Sequence, residues 1–175
     1  YITHESALHY WNFPLAQQFF AKQIAMSGRT QLLVLDRSNM FTKDGYTTRL
    51  YSGQLPSKAL TRIDKVDVVS PGLMFVQLAG KLDIHQAIIL GTLLCSCPNG
   101  PRSEPLVTSK ELQTFLDSMN KYYGLPNART AIKYVNDRAC SIMEVFVALF
   151  LSLPNHLGGL GLKGGYFNYK VELDP

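Results

Sequence analysis

The chain has 175 residues, of which 46% are hydrophobic and 17% charged, and a formal net charge of +4. That is the size of one ordinary domain, or of one domain with part of a second, and it can bury a core without disulfide staples. The composition excludes a wholly disordered chain, and no apolar run reaches the roughly 18 residues of a membrane-spanning helix.

In chain order, Ser6–Trp11 reads as a short helix with Thr3 as N-cap and Pro14 closing the segment. Leu15–Met26 reads as a second helix ending before Ser27 and Gly28. Gln31–Asp36 is a β run, Lys43-Asp44-Gly45 is turn chemistry, and Tyr46–Ser52 is a strand. Leu60–Ile63 and Val66–Val69 read as two short strands around Asp64 and Lys65. Residues 1–69 are therefore expected to form a small β-rich module with a helical lead-in.

Residues 70–138 read as helical. Ser70-Pro71 is a helix start, with serine as cap and proline in the first turn. Asp83 is placed to cap a second helix through Ala87, Leu90 and Leu94. Pro98–Pro101 is a loop. Thr108 and Glu111 have the spacing of a capping box opening a third helix, with Leu112, Phe115, Leu116 and Met119 on one face. Gly124 ends that region, and Pro126 sits near the start of a fourth helix through Ala131 and Val135. The apolar stretch Ala87–Cys95 reads as a buried helix.

A second unit begins near residue 139. Ser141 and Glu144 repeat the capping-box spacing, with Glu144 expected on the Ser141 backbone N–H, and Val145–Leu153 follows as a nearly wholly apolar helix, a pattern that predicts burial. Five glycines between Leu157 and Gly165 make a connection, and Tyr166–Leu173 alternates as a strand. The glycines match no phosphate-cradling pattern, because they follow a helix and precede a strand. Ser141 with His156 lacks a nucleophile elbow, and His4 and His9 are spaced off one helical face. Tyr10, Trp11, Phe13, Phe19 and Phe20 read as core.

Charge is unevenly placed. Residues 22–65 hold eight basic and three acidic side chains; the remainder holds nine and ten. Gathered on one face, Arg29, Arg37, Lys43, Arg49, Lys58 and Arg62 would attract phosphates. Dispersed, they are a solvated surface. Cys95, Cys97 and Cys140 have neither a disulfide pattern nor zinc spacing and read as core or helix-end thiols, which suits a reducing cytoplasm. No basic-then-apolar leader opens the sequence. The first residue is not methionine and the last five are Val171–Pro175, so a piece of a longer protein is expected.

Three segments carry a resemblance. His4–Leu8 resembles the H-x-S-A-L opening of bacterial abortive-infection antitoxin-like proteins. Val69–Ala79 resembles their V-S-S-P-E-L-x-F-L-Q-M-A helix. Ala139–Glu144, followed by Leu157–Leu162 and Asn168-Tyr169, resembles the start of a nuclease-like domain related to very-short-patch-repair endonucleases. The resemblance implies an antitoxin-like scaffold over residues 1–138 and an incomplete nuclease-like domain over 139–175. It also implies that Glu144 is the first of several carboxylates binding Mg or Mn, with the others beyond residue 175. Ile142 stands where that family's motif has proline.

The expected fold class is α+β: a small β-rich N-terminal module, a helical middle, and the start of an α/β restriction-endonuclease-like unit. Two functions stand. One is a bacterial cytoplasmic DNA-acting protein, nuclease-like in full length, with Glu144 as catalytic and metal residue and this piece inactive by itself. The other is a non-catalytic regulator of antitoxin type that binds DNA, a toxin or another protein, with Glu144 purely a helix cap. Neither involves a membrane.

Overall fold

The computed structural model describes residues 1–22, 28–163, 165, 167 and 168. The fold is α+β. Helices α1 (His4–Tyr10) and α2 (Pro14–Phe20) lead in. Strands β1 (Thr30–Val34), β2 (Thr42–Lys43) and β3 (Tyr46–Leu50) follow, then β4 (Leu60–Ile63) and β5 (Val66–Val69). Five helices complete the chain: α3 (Pro71–Ala79), α4 (Ile84–Leu94), α5 (Ser109–Ser118), α6 (Leu125–Ala131) and α7 (Ile142–Ser152).

The strands form a ladder in the order β1-β3-β2 and a separate β4-β5 hairpin. β1 and β3 run parallel, Thr30 opposite Tyr46 and Leu33 opposite Arg49, while β2 runs antiparallel to β3. Gly45 closes the β2–β3 turn with φ of 77°, a left-handed conformation that costs glycine little. The β4–β5 turn uses Asp64 and Lys65, both at positive φ, as a two-residue primed turn demands.

Residues 1–3 join the two sheets. Ile2 N–H donates to Asp67 O at 2.9 Å and Ile2 O accepts from Val69 N–H at 2.9 Å; on the other side Thr3 N–H donates to Gln31 O and Leu33 N–H to Tyr1 O. Ile2 thus bridges β1 and β5. The sequence pattern predicts no strand there, because three residues are too few to show a period.

The helical start signals act as read, with two differences. Ser70 Oγ accepts from Leu73 N–H, and both halves of a capping box form at Asp83/Gln86 and at Thr108/Glu111. Thr3, however, does not cap α1 with its side chain: the hydroxyl donates to Gln77 Oε1 instead, and the helix opens at His4 rather than Ser6. The helix expected through Val135 stops at Ala131 and tightens into a 3₁₀ turn over Ile132–Tyr134. The described part of the helix expected over Leu15–Met26 ends at Phe20; residues 23–27 lie outside the described residues.

The core centres on α3 and α4. Every residue of α3 from Gly72 to Ala79 is buried, as is α4 from Ala87 to Leu94. Gly91 lets α4 come close to its neighbours: a Cβ there would lie 2.5 Å from Val135 Cγ2 and 3.3 Å from the Phe75 ring. α6 closes the helix ends around it. Asn127 Nδ2 donates to Ala79 O and Leu82 O, and Arg129 donates to Leu116 O and Met119 O, adding side-chain donors to the carbonyls at and just past the ends of α3 and α5. The same core runs on into Ala139, Val145, Leu149 and Leu153. Cys95 and Cys97 are buried, Cys140 is half-buried, and all three are free thiols. Burial pushes the Cys95 thiol well up.

Candidate nucleic-acid interface

The six basic side chains are all exposed, and the strand register sorts them. Paired residues on a ladder share a face, and faces alternate along each strand. Lys43 pairs with Tyr46, so the two project together. Phe41 continues the same ladder one step out: its N–H donates to Thr48 Oγ1, and Thr48 N–H donates to Phe41 O. Phe41, Lys43 and Tyr46 therefore stand on one face, the rings 47% and 49% exposed. Arg29 precedes Thr30, the partner of Tyr46, and so lies at the Lys43 end of the sheet. Arg37 lies in the 3₁₀ turn that leaves β1 at its other end, near exposed Leu35 and Met40. In that turn Asp36 accepts from the Ser38 N–H and hydroxyl, which hold its carboxyl below the ordinary range.

The other three basic residues go elsewhere. Arg49 projects from the opposite face and donates to Gln31 Oε1 at 3.3 Å. Arg62 is paired with its cross-strand neighbour Asp67 at 3.0 Å. Lys58 lies within electrostatic reach of Glu111, whose carboxyl is held low first by its bonds with Thr108 and then by Lys58. Lys43 thus shares a sheet face with the two rings, Arg29 lies at the same end of the sheet and Arg37 beyond the other end, while Arg49 and Arg62 are engaged by Gln31 and Asp67.

Arg49 points toward a buried polar cluster that sequence reasoning missed. Thr3 Oγ1 donates to Gln77 Oε1 at 2.7 Å, and His4 N–H donates to the same oxygen at 3.2 Å. The Glu5 carboxylate accepts from Lys81 Nζ and from Gln31 Nε2, while Gln31 N–H donates to Ser6 Oγ. Burial, reinforced by the charge of Lys81, lowers the His4 pKa to about 4. Burial works against the charge of Glu5, but Lys81, its own N–H and His4 outweigh it and hold the carboxyl low. His4 has φ of 52°, and Gln77 Nε2 has no partner among the described residues. Thr3, His4, Glu5, Gln31 and Gln77 are all buried, so the cluster pins the first residues between the sheet and α3 rather than receiving a ligand. The polar residues of His4–Ser6 inside a helix next to the core were the available signal.

At the start of α7, Ser141 Oγ accepts from Glu144 N–H at 3.2 Å. The Glu144 carboxylate folds back, but to a different donor from the one the spacing predicts. Oε2 accepts from Cys140 N–H at 2.9 Å, one residue before Ser141, and from Asn168 Nδ2 at 3.2 Å; Oε1 accepts from Ser141 Oγ at 3.2 Å. No group of three His, Cys, Asp or Glu side chains able to hold a metal occurs among the described residues. A divalent cation needs several converging oxygens, and Glu144 alone does not fit one.

The rest of α7 departs from expectation. Val145 and Leu149 are buried, but Met143, Phe146, Val147, Phe150 and Leu151 are exposed, Phe150 by 58%. Phe146 has partial cover from Phe19, their ring centroids 5.6 Å apart. A cleft of about 710 Å³ runs beside the helix, lined by Met143, Val147, Leu151 and Leu162 with Glu144 and Lys163. The buried helix expected over Val145–Leu153 is therefore buried on one side only. Of the strand expected over Tyr166–Leu173, Phe167 and Asn168 form a turn and the remaining positions lie outside the described residues.

Compared with protein-family models, with curated proteins and with solved structures, the chain gives no match. No described helix is long and apolar enough to cross a membrane.

Proposed function

We propose that this chain is a DNA-binding module that works without a hydrolytic centre of its own, in the cytoplasmic, regulator-like sense of the second function above. The observation that carries the reading is Lys43 standing between the exposed rings of Phe41 and Tyr46, with Arg29 at the same sheet end. Cationic side chains give phosphate attraction, and rings beside them give contact area that a solvated charged surface lacks. Glu144 supports the non-catalytic half, because both of its oxygens are occupied in holding the start of α7.

Fluorescence anisotropy with labelled DNA tests the proposal. Binding should weaken measurably from low to physiological salt, and Arg29→Ala with Lys43→Ala should remove most of the salt slope, reducing it by about 2. No binding at low salt, or binding indifferent to salt, rejects it. Magnesium- or manganese-dependent cutting of DNA that disappears in Glu144→Ala would instead return the nuclease reading that the resemblance implies.

A second reading, a regulator that contacts a protein, is favoured by the exposed apolar stripe of α7. A photo-reactive side chain placed at Tyr46 and, separately, at Phe150 discriminates the two. Nucleic-acid adducts at the first position support DNA binding; protein adducts at the second with none at the first support the regulator contact.

A further inference from the structure

We infer that the Phe41–Lys43–Tyr46 face takes a single DNA strand in preference to a duplex, an inference that rests on the DNA-binding reading and names its substrate. The two rings sit diagonally across the β2–β3 ladder, because Lys43 pairs with Tyr46 while Phe41 sits opposite Thr48. Diagonal neighbours on a ladder are about 7–8 Å apart. Each ring therefore presents its own surface, with the Lys43 ammonium on the same face for the phosphates.

A base inside a duplex has both faces covered by its neighbours, so an aromatic side chain gains little from it. A single strand offers bare π-faces to any ring that is already exposed, whatever the sequence. Phe41 and Tyr46 are each about half exposed. The alternative, a β-ribbon entering the major groove, needs two strands long enough to follow the groove. β2 has two residues, and its turn is at Asp44-Gly45. The ladder is too short for that role and long enough for two stacked bases.

Charge also favours the smaller ligand. Between Arg29 and Arg49 there are four basic and two acidic residues. Asp36 is tied to Ser38, and Arg49 faces the other way. The remaining Arg29, Arg37 and Lys43 neutralise few phosphates, so stacking has to supply much of the affinity and the salt dependence is shallow.

The test compares a short labelled thymidine oligonucleotide, a hairpin duplex of equal length and a uridine oligonucleotide by anisotropy at one salt concentration. The thymidine strand should bind on the order of tenfold more tightly than the hairpin. Phe41→Leu and Tyr46→Leu, which keep apolar bulk and remove the ring, should each cost the thymidine strand roughly tenfold and leave the hairpin unchanged. Phe41→Trp should preserve the affinity, and circular dichroism on each variant shows that the sheet is intact. Equal affinity for strand and hairpin, with the Lys43 dependence kept, overturns this inference while DNA binding stands. Binding of neither overturns both. A uridine strand bound tightly while the thymidine strand is ignored overturns the assignment to DNA.

Discussion

Helices α4 and α7 are alike as sequences and opposite as surfaces. Each has eleven residues and a mainly apolar composition, and each starts from a side-chain cap, Asp83 in one and Ser141 in the other. α4 is enclosed from Ala87 to Leu94, with α3 and α6 packed on it and Val135 against Gly91. α7 has cover along Val145 and Leu149 and leaves five large side chains of its other side in contact with water. The difference lies in what stands opposite each helix. Hydrophobicity supplies the driving force for burial; neighbours decide where it is realised.

The sharpest way to break the comparison is to truncate one large side chain on each helix. Leu93→Ala in α4 should cost about 2–5 kcal/mol, because its site is fully buried and the surroundings fill the space only partly. Phe150→Ala in α7 should change stability by no more than about 0.5 kcal/mol. Urea unfolding of both variants measures this, and a comparable loss in Phe150→Ala would show that the stripe is covered in solution.

Acid titration comes next. The buried pair His4 and Glu5 lies beside α3, and the exposed stripe of α7 carries no such group. The His4 pKa lies near 4 in the fold against 6.5 in the unfolded chain, so the unfolded chain takes up the proton first. Stability should be full above about pH 6.5 and fall toward pH 4, by about 3 kcal/mol from this residue. The lowered carboxyl of Glu5 adds a further loss below its ordinary pKa of 4.5, as its contribution disappears on protonation. His4→Asn, which tolerates the left-handed backbone, should flatten the limb between pH 6.5 and 4 in thermal melts taken at a series of pH values.

Smaller effects sharpen the contrast. Gly91→Ala adds one methyl group where Val135 and Phe75 already meet α4 and should cost about 1–3 kcal/mol in the same denaturant assay. Glu144→Gln keeps an acceptor for Cys140 N–H and loses the charge at the helix start, typically about 0.3–1 kcal/mol. Its melting temperature should not respond to added magnesium. A metal-dependent rise in the wild type, absent from the variant, would mean that Glu144 holds a cation after all.

Much of this fold was legible because its signals are local. Ser70, Asp83, Thr108 and Ser141 each announce a helix within four residues, and all four caps form. The strands Leu60–Ile63 and Val66–Val69 are bounded by their own turn and emerge with those limits. What depended on distant partners was not legible. Glu144 reaches Cys140 and Asn168 rather than the Ser141 N–H, because residues 24 positions further on help to shape the helix start. The charge excess of residues 22–65 could be counted from sequence, yet only the register separates Lys43 from Arg49, three positions from its partner Tyr46 and on the other face. Phe41 escaped notice as an interface residue because β2 is too short to show alternation.

The placement of residues 1–3 between β1 and β5 bears on how the chain folds as it is made. Those residues are the first of the 175 to leave the ribosome, yet their hydrogen-bond partners are Gln31, Leu33, Asp67 and Val69. Until Val69 has been synthesised they wait with backbone groups solvated, and the two sheets remain separate ladders. Closing so wide a loop is entropically costly before any contact rewards it, which slows nucleation around that junction. The Thr3 and His4 bonds to Gln77 come later still, once α3 exists. The segment 1–3 is thus among the last parts to be secured, and refolding rates should respond strongly to changes at Ile2 and Thr3.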